Sequence, residues 1–152
     1  MGTERSEIVR QSWQRSLGID VSLAGVEMTV LPQILGSRNY DGLMEVDWNA
    51  DYADPNAFLS VFTSASTTNP SGWRDGDYDA ALAAANEEIN PAVRMRKLAD
   101  CEMHLLQSMP LLPVYFDKWT YLQKPFVRGL HLDPLDGISF HDAWIDTNWR
   151  PQ

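Results

Sequence analysis

A chain of 152 residues is long enough for one domain with its own core, and 44% hydrophobic with 22% charged residues is ordinary for a globular protein. The formal net charge of −9, with no Lys/Arg cluster, excludes a phosphate-binding surface, so no nucleic-acid partner is expected. The lone Cys101 excludes an intrachain disulfide and cysteine-based metal motifs, and the longest apolar run, residues 109–116, is too short to span a bilayer.

Met1-Gly2-Thr3-Glu4-Arg5 leads directly into a polar helix, so no secretory signal is expected in this chain. Over residues 4–17, Val9, Trp13 and Leu17 recur every four positions and Ile8 widens the stripe, which predicts an amphipathic helix ended by Gly18. Residues 19–23, Ile-Asp-Val-Ser-Leu, alternate apolar and polar like a half-exposed strand. Helix, glycine and strand in that order make a parallel crossover unit. A short helix is predicted over 29–35, with Pro32 in its first turn and Gly36 as its end. Residues 40–46 read as a second strand, apolar on both faces.

The densest chemistry follows. Asp47, Asp51 and Asp54 fall within eight residues, interleaved with Trp48 and Tyr52. Asp54 is placed to cap a helix whose first residue, Pro55, has no N–H to satisfy; that helix is predicted to run to Phe62 and to bury Phe58, Leu59 and Phe62. A strand-to-helix corner is where α/β layers place ligands. Aromatic faces beside carboxylates suit a cationic or amine-bearing ligand, and the same residues would equally form a capped turn with two aromatics packed inward. The long polar stretch 63–77 is a candidate cleft rim.

An alanine-rich helix is expected over 77–86, and Asn90-Pro91 starts another with Val93, Leu98, Cys101 and Leu105 inward. Arg94, Arg96, Lys97 and Glu102 read as its solvated face, and Cys101 as an inert packed thiol. Residues 110–116 read as a buried strand. After Asp117 the chain turns aromatic-rich and poor in helix formers. His104, His131 and His141 have no metal-ligand spacing; His131 near Asp133, and His141 beside Asp142, are loose neighbours that read as surface polar residues rather than metal ligands. No nucleophile or oxyanion donor accompanies the aspartates, so no catalysis, cofactor or metal is expected.

Several stretches carry a resemblance. Residues 48–59, Trp-Asn-Ala-Asp-Tyr-Ala-Asp-Pro-Asn-Ala-Phe-Leu, are similar to the W-x-A-D-Y-x-D-P-x-x-F-L signature of solute-binding protein family 5, the binding proteins of peptide ABC importers. Asn69-Pro70-Ser71-Gly72-Trp73 and Tyr78-Asp79-Ala80-Ala81-Leu82 resemble two further elements of that family. Pro113-Val114-Tyr115, Pro125-Phe126-Val127-Arg128-Gly129 and Asp133-Pro134-Leu135-Asp136 resemble its closing segment, closest to the oligopeptide-binding proteins. The likeness spans nearly the whole chain, in order.

The resemblance implies an α/β fold: the C-terminal lobe of a two-lobed periplasmic-binding-protein type II architecture. Residues 1–117 would form part of that lobe, and 118–152 would return to complete the other. It implies a periplasmic or extracytoplasmic binding protein that captures a peptide or related small solute for an ABC permease, with Asp51 taking the ligand's amino group. Trp48 would stack on the ligand, and Tyr52 is a further candidate contact. Many members have Gly where this chain has Asp47, which would narrow the cleft or add a second anionic anchor. Family members also bind other solutes, so the ligand stays open. The apolar tail without its sheet is expected either to fold back or to exchange with a second copy as a homodimer; the rival reading is a truncated interaction module that binds no peptide.

Overall fold

The computed structural model describes residues 2–116, 118, 120–133, 135 and 137–150, with side chains from residue 4 onward. The expected boundary at Asp117, the apolar Trp119, and Pro134, Asp136 and Pro151 lie outside the described residues. The chain divides into two compact units, Met1–Asp47 and Trp48–Gln152.

In the first unit, α1 spans Gly2–Leu17, close to the predicted 4–17. Gly18 stops it as expected, in the left-handed conformation (φ +69°) with its N–H on the Gln14 carbonyl at 3.2 Å. α2, Leu31–Ser37, has Pro32 in its first turn, but Gly36 does not end it. The stop is Arg38, itself left-handed at φ +53°, whose N–H bonds to the Leu35 carbonyl. No described side chain of this unit is fully buried; Val9 and Trp13 are half-covered, while Ile8 and Leu17 are exposed.

The core belongs to the second unit. α3 is the single turn Asn56–Leu59, continued as a 3-10 turn over Ser60–Phe62. α4 is Gly76–Asn86 and α5 is Pro91–Ser108. Leu59 from α3 meets Tyr78, Leu82 and Ala85 from α4 and Leu98, Cys101 and Leu105 from α5. The alanine-rich composition of α4 permits this close approach to α5. Burial pushes the Cys101 thiol up, so little nucleophilic thiolate exists at neutral pH. Asp75 caps α4 by accepting the N–H groups of Asp77 and Tyr78, and Asn90, where the sequence starts the next helix, caps α5. Phe58 is half exposed, and Ala57 and Val61 are buried in its place.

The predicted strands over 19–23, 40–46 and 110–116 do not form; these residues have no regular secondary structure. A strand exists only when its N–H and C=O groups meet a neighbour, and among the described residues no segment pairs with these three. The pattern reported their sidedness but not a partner. The parallel sheet expected of an α/β lobe is therefore absent among the described residues.

The tail holds the strands that do form. β1 (Val127–Arg128) pairs antiparallel with β4 (Trp144–Ile145), and β2 (His131–Asp133) with β3 (Gly137–Ser139). These segments find partners inside the tail itself, so the pairing gives no support to exchange with a second copy. His131 lies 3.7 Å from Asp142, not paired with Asp133. Gly129 sits beside β1 at φ +70°, and a Cβ there would lie 2.0 Å from the Asp142 carbonyl oxygen. Gly129→Ala is thus expected to break the β1–β4 pair. The left-handed backbone alone costs an alanine about 1–2 kcal/mol, and the clash is with backbone. Loss of the cross-strand nuclear Overhauser effect between Val127 and Ile145, with α4 and α5 unchanged, is the expected readout.

Candidate functional site

Residues 48–68 enclose an open depression of about 370 Å³. Trp48, Asp51 and Tyr52 line it from the loop before α3. Ala57, Ser60 and Val61 line it from α3 and the 3-10 turn, and Thr63, Ala65, Ser66, Thr67 and Thr68 from the segment beyond. Three of the four candidate residues are thereby brought together. Asp47 is not: it is exposed, ends the first unit and is not among the lining residues.

Each aromatic is held by its polar atom. The indole N–H of Trp48 donates to the Ala57 carbonyl at 3.3 Å, which fixes the ring while leaving 43% of the residue exposed. The Tyr52 hydroxyl accepts from the Asn56 amide at 2.8 Å, and Asn56 in turn accepts from Asn86 at 3.1 Å. Tyr52 is 45% exposed and does not turn into the core, so its phenol lines the depression.

The aspartates divide sharply. Asp54 accepts the Asn56 N–H at 2.9 Å, one position earlier than a formal cap, and takes the Arg94 guanidinium on both oxygens, at 2.5 and 3.0 Å. The Arg94 fork, aided by the Asn56 N–H, holds the Asp54 carboxyl below the usual range. Arg94, read from sequence as part of a solvated face, is thus a tie between α5 and the corner, 40 residues away. Asp51 is exposed and, among the described residues, has neither a hydrogen bond nor an ion pair. It is the acidic residue of the lining left available to a ligand.

A depressed carboxyl contributes stability above the ordinary carboxylate range and loses it as pH falls through the folded value. Asp54→Asn is therefore expected to lower the urea midpoint at neutral pH, and by less once the pH is brought below the ordinary carboxylate range, as the wild-type carboxyl begins to protonate. An equal gap at both pH values would show that the ion pair contributes nothing.

The remaining motifs support this corner. Asn69 is buried; its amide donates to the Trp73 carbonyl at 3.0 Å and its oxygen accepts the Ser71 N–H and hydroxyl, closing a turn in which Gly72 has φ +70°. Trp73, Tyr78 and His104 stack edge to face, and His104 Nε2 lies 2.9 Å from Asp75. The sequence alone assigns His104 no role, because its partner is 29 residues away. Among the described residues no group of His, Cys, Asp and Glu side chains could hold a metal ion, and no helix is long and apolar enough to cross a membrane.

No family model matches the chain. Its sequence is 30% identical over 143 residues to the dipeptide-binding protein DppE of Bacillus subtilis, a match covering 94% of this chain and 26% of that protein. It is also 30% identical over 146 residues to the "Probable deoxycholate-binding periplasmic protein YgiS" of Escherichia coli, covering 93% and 27%. Among solved structures, the murein tripeptide binding protein MppA of Escherichia coli superposes with a TM-score of 0.73 at 28% identity, covering 84% of this chain and 25% of that one. The chain thus spans about a quarter of the length of the relatives it matches. By their names these relatives are binding proteins.

Proposed function

This chain belongs to solute-binding protein family 5, and from that premise we propose that it forms one side of a cleft that captures peptides, or a related small solute, for an ABC permease. Asp51 receives the ligand's ammonium group. Trp48 offers a ring face and Tyr52 a second aromatic contact. The chain does no chemistry of its own. In the same reading the whole protein works outside the cytoplasm, with residues 1–117 in one lobe and 118–152 returning to the other. Closure of two lobes around the ligand would supply most of the affinity, because burial of the ligand surface does.

The observation that carries the reading is the contrast between Asp54, consumed by Arg94 and Asn56, and Asp51, which has no partner among the described residues and lies at the edge of a depression lined by Trp48 and Tyr52. Among the described residues, the lining contains no Lys, Arg or His. A carboxylate ligand would meet only like charge there, whereas an amine meets its counter-ion. This separates a peptide ligand from deoxycholate, whose name attaches to one relative. Titration of the labelled chain with tri-alanine amide is expected to shift the amide resonances of residues 48–68, and deoxycholate to leave them in place. Shifts with deoxycholate alone would overturn the proposal.

A further inference from the structure

We infer that Asp79 is a positioning residue of the depression, holding the segment 63–68 in the conformation that lines it. The inference rests on the reading above, in which that depression receives the ligand. Asp79 lies in the first turn of α4, and its carboxylate accepts the Ser64 N–H at 2.9 Å across 15 residues of sequence. The cap of α4 is already supplied by Asp75, so Asp79 is not needed for that task. Its neighbour Tyr78 is fully buried and donates its hydroxyl to the Leu59 carbonyl at 2.7 Å. The adjacent pair therefore ties α4 to the chain on either side of the 3-10 turn, at Leu59 and at Ser64.

The segment needs such a tie. Ala65, Thr67 and Thr68 are exposed, so apolar burial does little to order them. Its own bonds are local: Ser66 N–H to the Thr63 carbonyl at 3.0 Å, and the Ser66 and Thr68 hydroxyls 3.1 Å apart. The Asp79–Ser64 bond joins this local turn to a helix fixed by the core residues Tyr78, Leu82 and Ala85. Four hydroxyl side chains of the segment, Thr63, Ser66, Thr67 and Thr68, line the depression and can donate to or accept from a ligand's amide groups. A preordered segment binds without the entropy cost of being ordered by the ligand.

The test compares Asp79→Ala, which removes the acceptor, with Asp79→Asn, which keeps a side-chain oxygen for the Ser64 N–H. Amide exchange at Ser64 is expected to speed up about tenfold in the alanine variant, as for loss of one hydrogen bond to a charged group, and to recover in the asparagine variant. Exchange within α5 should not change. Affinity for tri-alanine amide should fall roughly threefold to tenfold in Asp79→Ala, as ordering is transferred to the binding step, and recover with asparagine. Unchanged Ser64 exchange overturns the tie, and faster exchange with unchanged affinity overturns the positioning role. A wild type that binds no tri-alanine amide overturns the peptide reading instead, while the exchange comparison still decides whether Asp79 orders the segment.

Discussion

Asp51→Asn is expected to weaken binding of a free-amine peptide while leaving the fold intact. Asparagine keeps the size and one acceptor oxygen but removes the charge. In the open depression the ion pair stays solvated, where such pairs contribute about 0.2–1 kcal/mol, so the loss should be roughly 1.5-fold to fivefold. Where the depression is covered by a second surface, water no longer screens the pair. Removing one partner then costs about 2–5 kcal/mol, or roughly 30-fold to several thousand-fold. The growth of the effect with coverage is itself diagnostic, because a merely structural aspartate would cost the same in both settings. Urea unfolding provides the control: the exposed Asp51 has no partner among the described residues, so its midpoint should hardly move.

The second large effect concerns the core. Leu98 is 1% exposed and sits with Leu82, Tyr78 and Cys101 where α4 meets α5. Leu98→Ala removes buried methyl groups and leaves a cavity, at a cost of about 2–5 kcal/mol. That is a large share of the 5–15 kcal/mol typical of a folded domain. The urea midpoint should fall steeply with an unchanged slope, since the surface exposed on unfolding is nearly the same. Because α4 also carries Tyr78 and Asp79, loosening this core should relax the segment 63–68 as well. A midpoint within a few tenths of a molar of wild type would show that the buried cluster does not carry the stability.

What could be read from the sequence follows from how local each feature is. Asn90-Pro91 announces α5 and Gly18 closes α1, because a cap acts within a few residues. Trp48, Asp51 and Tyr52 could be placed at one corner because one short loop carries them all. Asp47 shares that stretch of sequence but falls in the other unit, so proximity in sequence overstated the cluster. Long-range pairings were invisible: Asp54 with Arg94, Asp75 with His104, and Ser64 with Asp79. No periodicity encodes them, since each joins two half-buried polar residues that lie 15 to 40 positions apart in the chain. The three unformed strands failed for a related reason. Alternation reveals which face of a strand would be apolar, but not what the strand hydrogen-bonds to.

The proposal that this chain presents Asp51 to a ligand ammonium is tested most directly by one pair of titrations. Tri-alanine amide and N-acetyl-tri-alanine amide share the same side chains and peptide groups and differ in the charged amine. Followed by the amide resonances of residues 48–68, the free amine is expected to bind more tightly than the acetylated peptide in the wild type, and the two to become equal in Asp51→Asn. Equal affinities in the wild type would contradict the account.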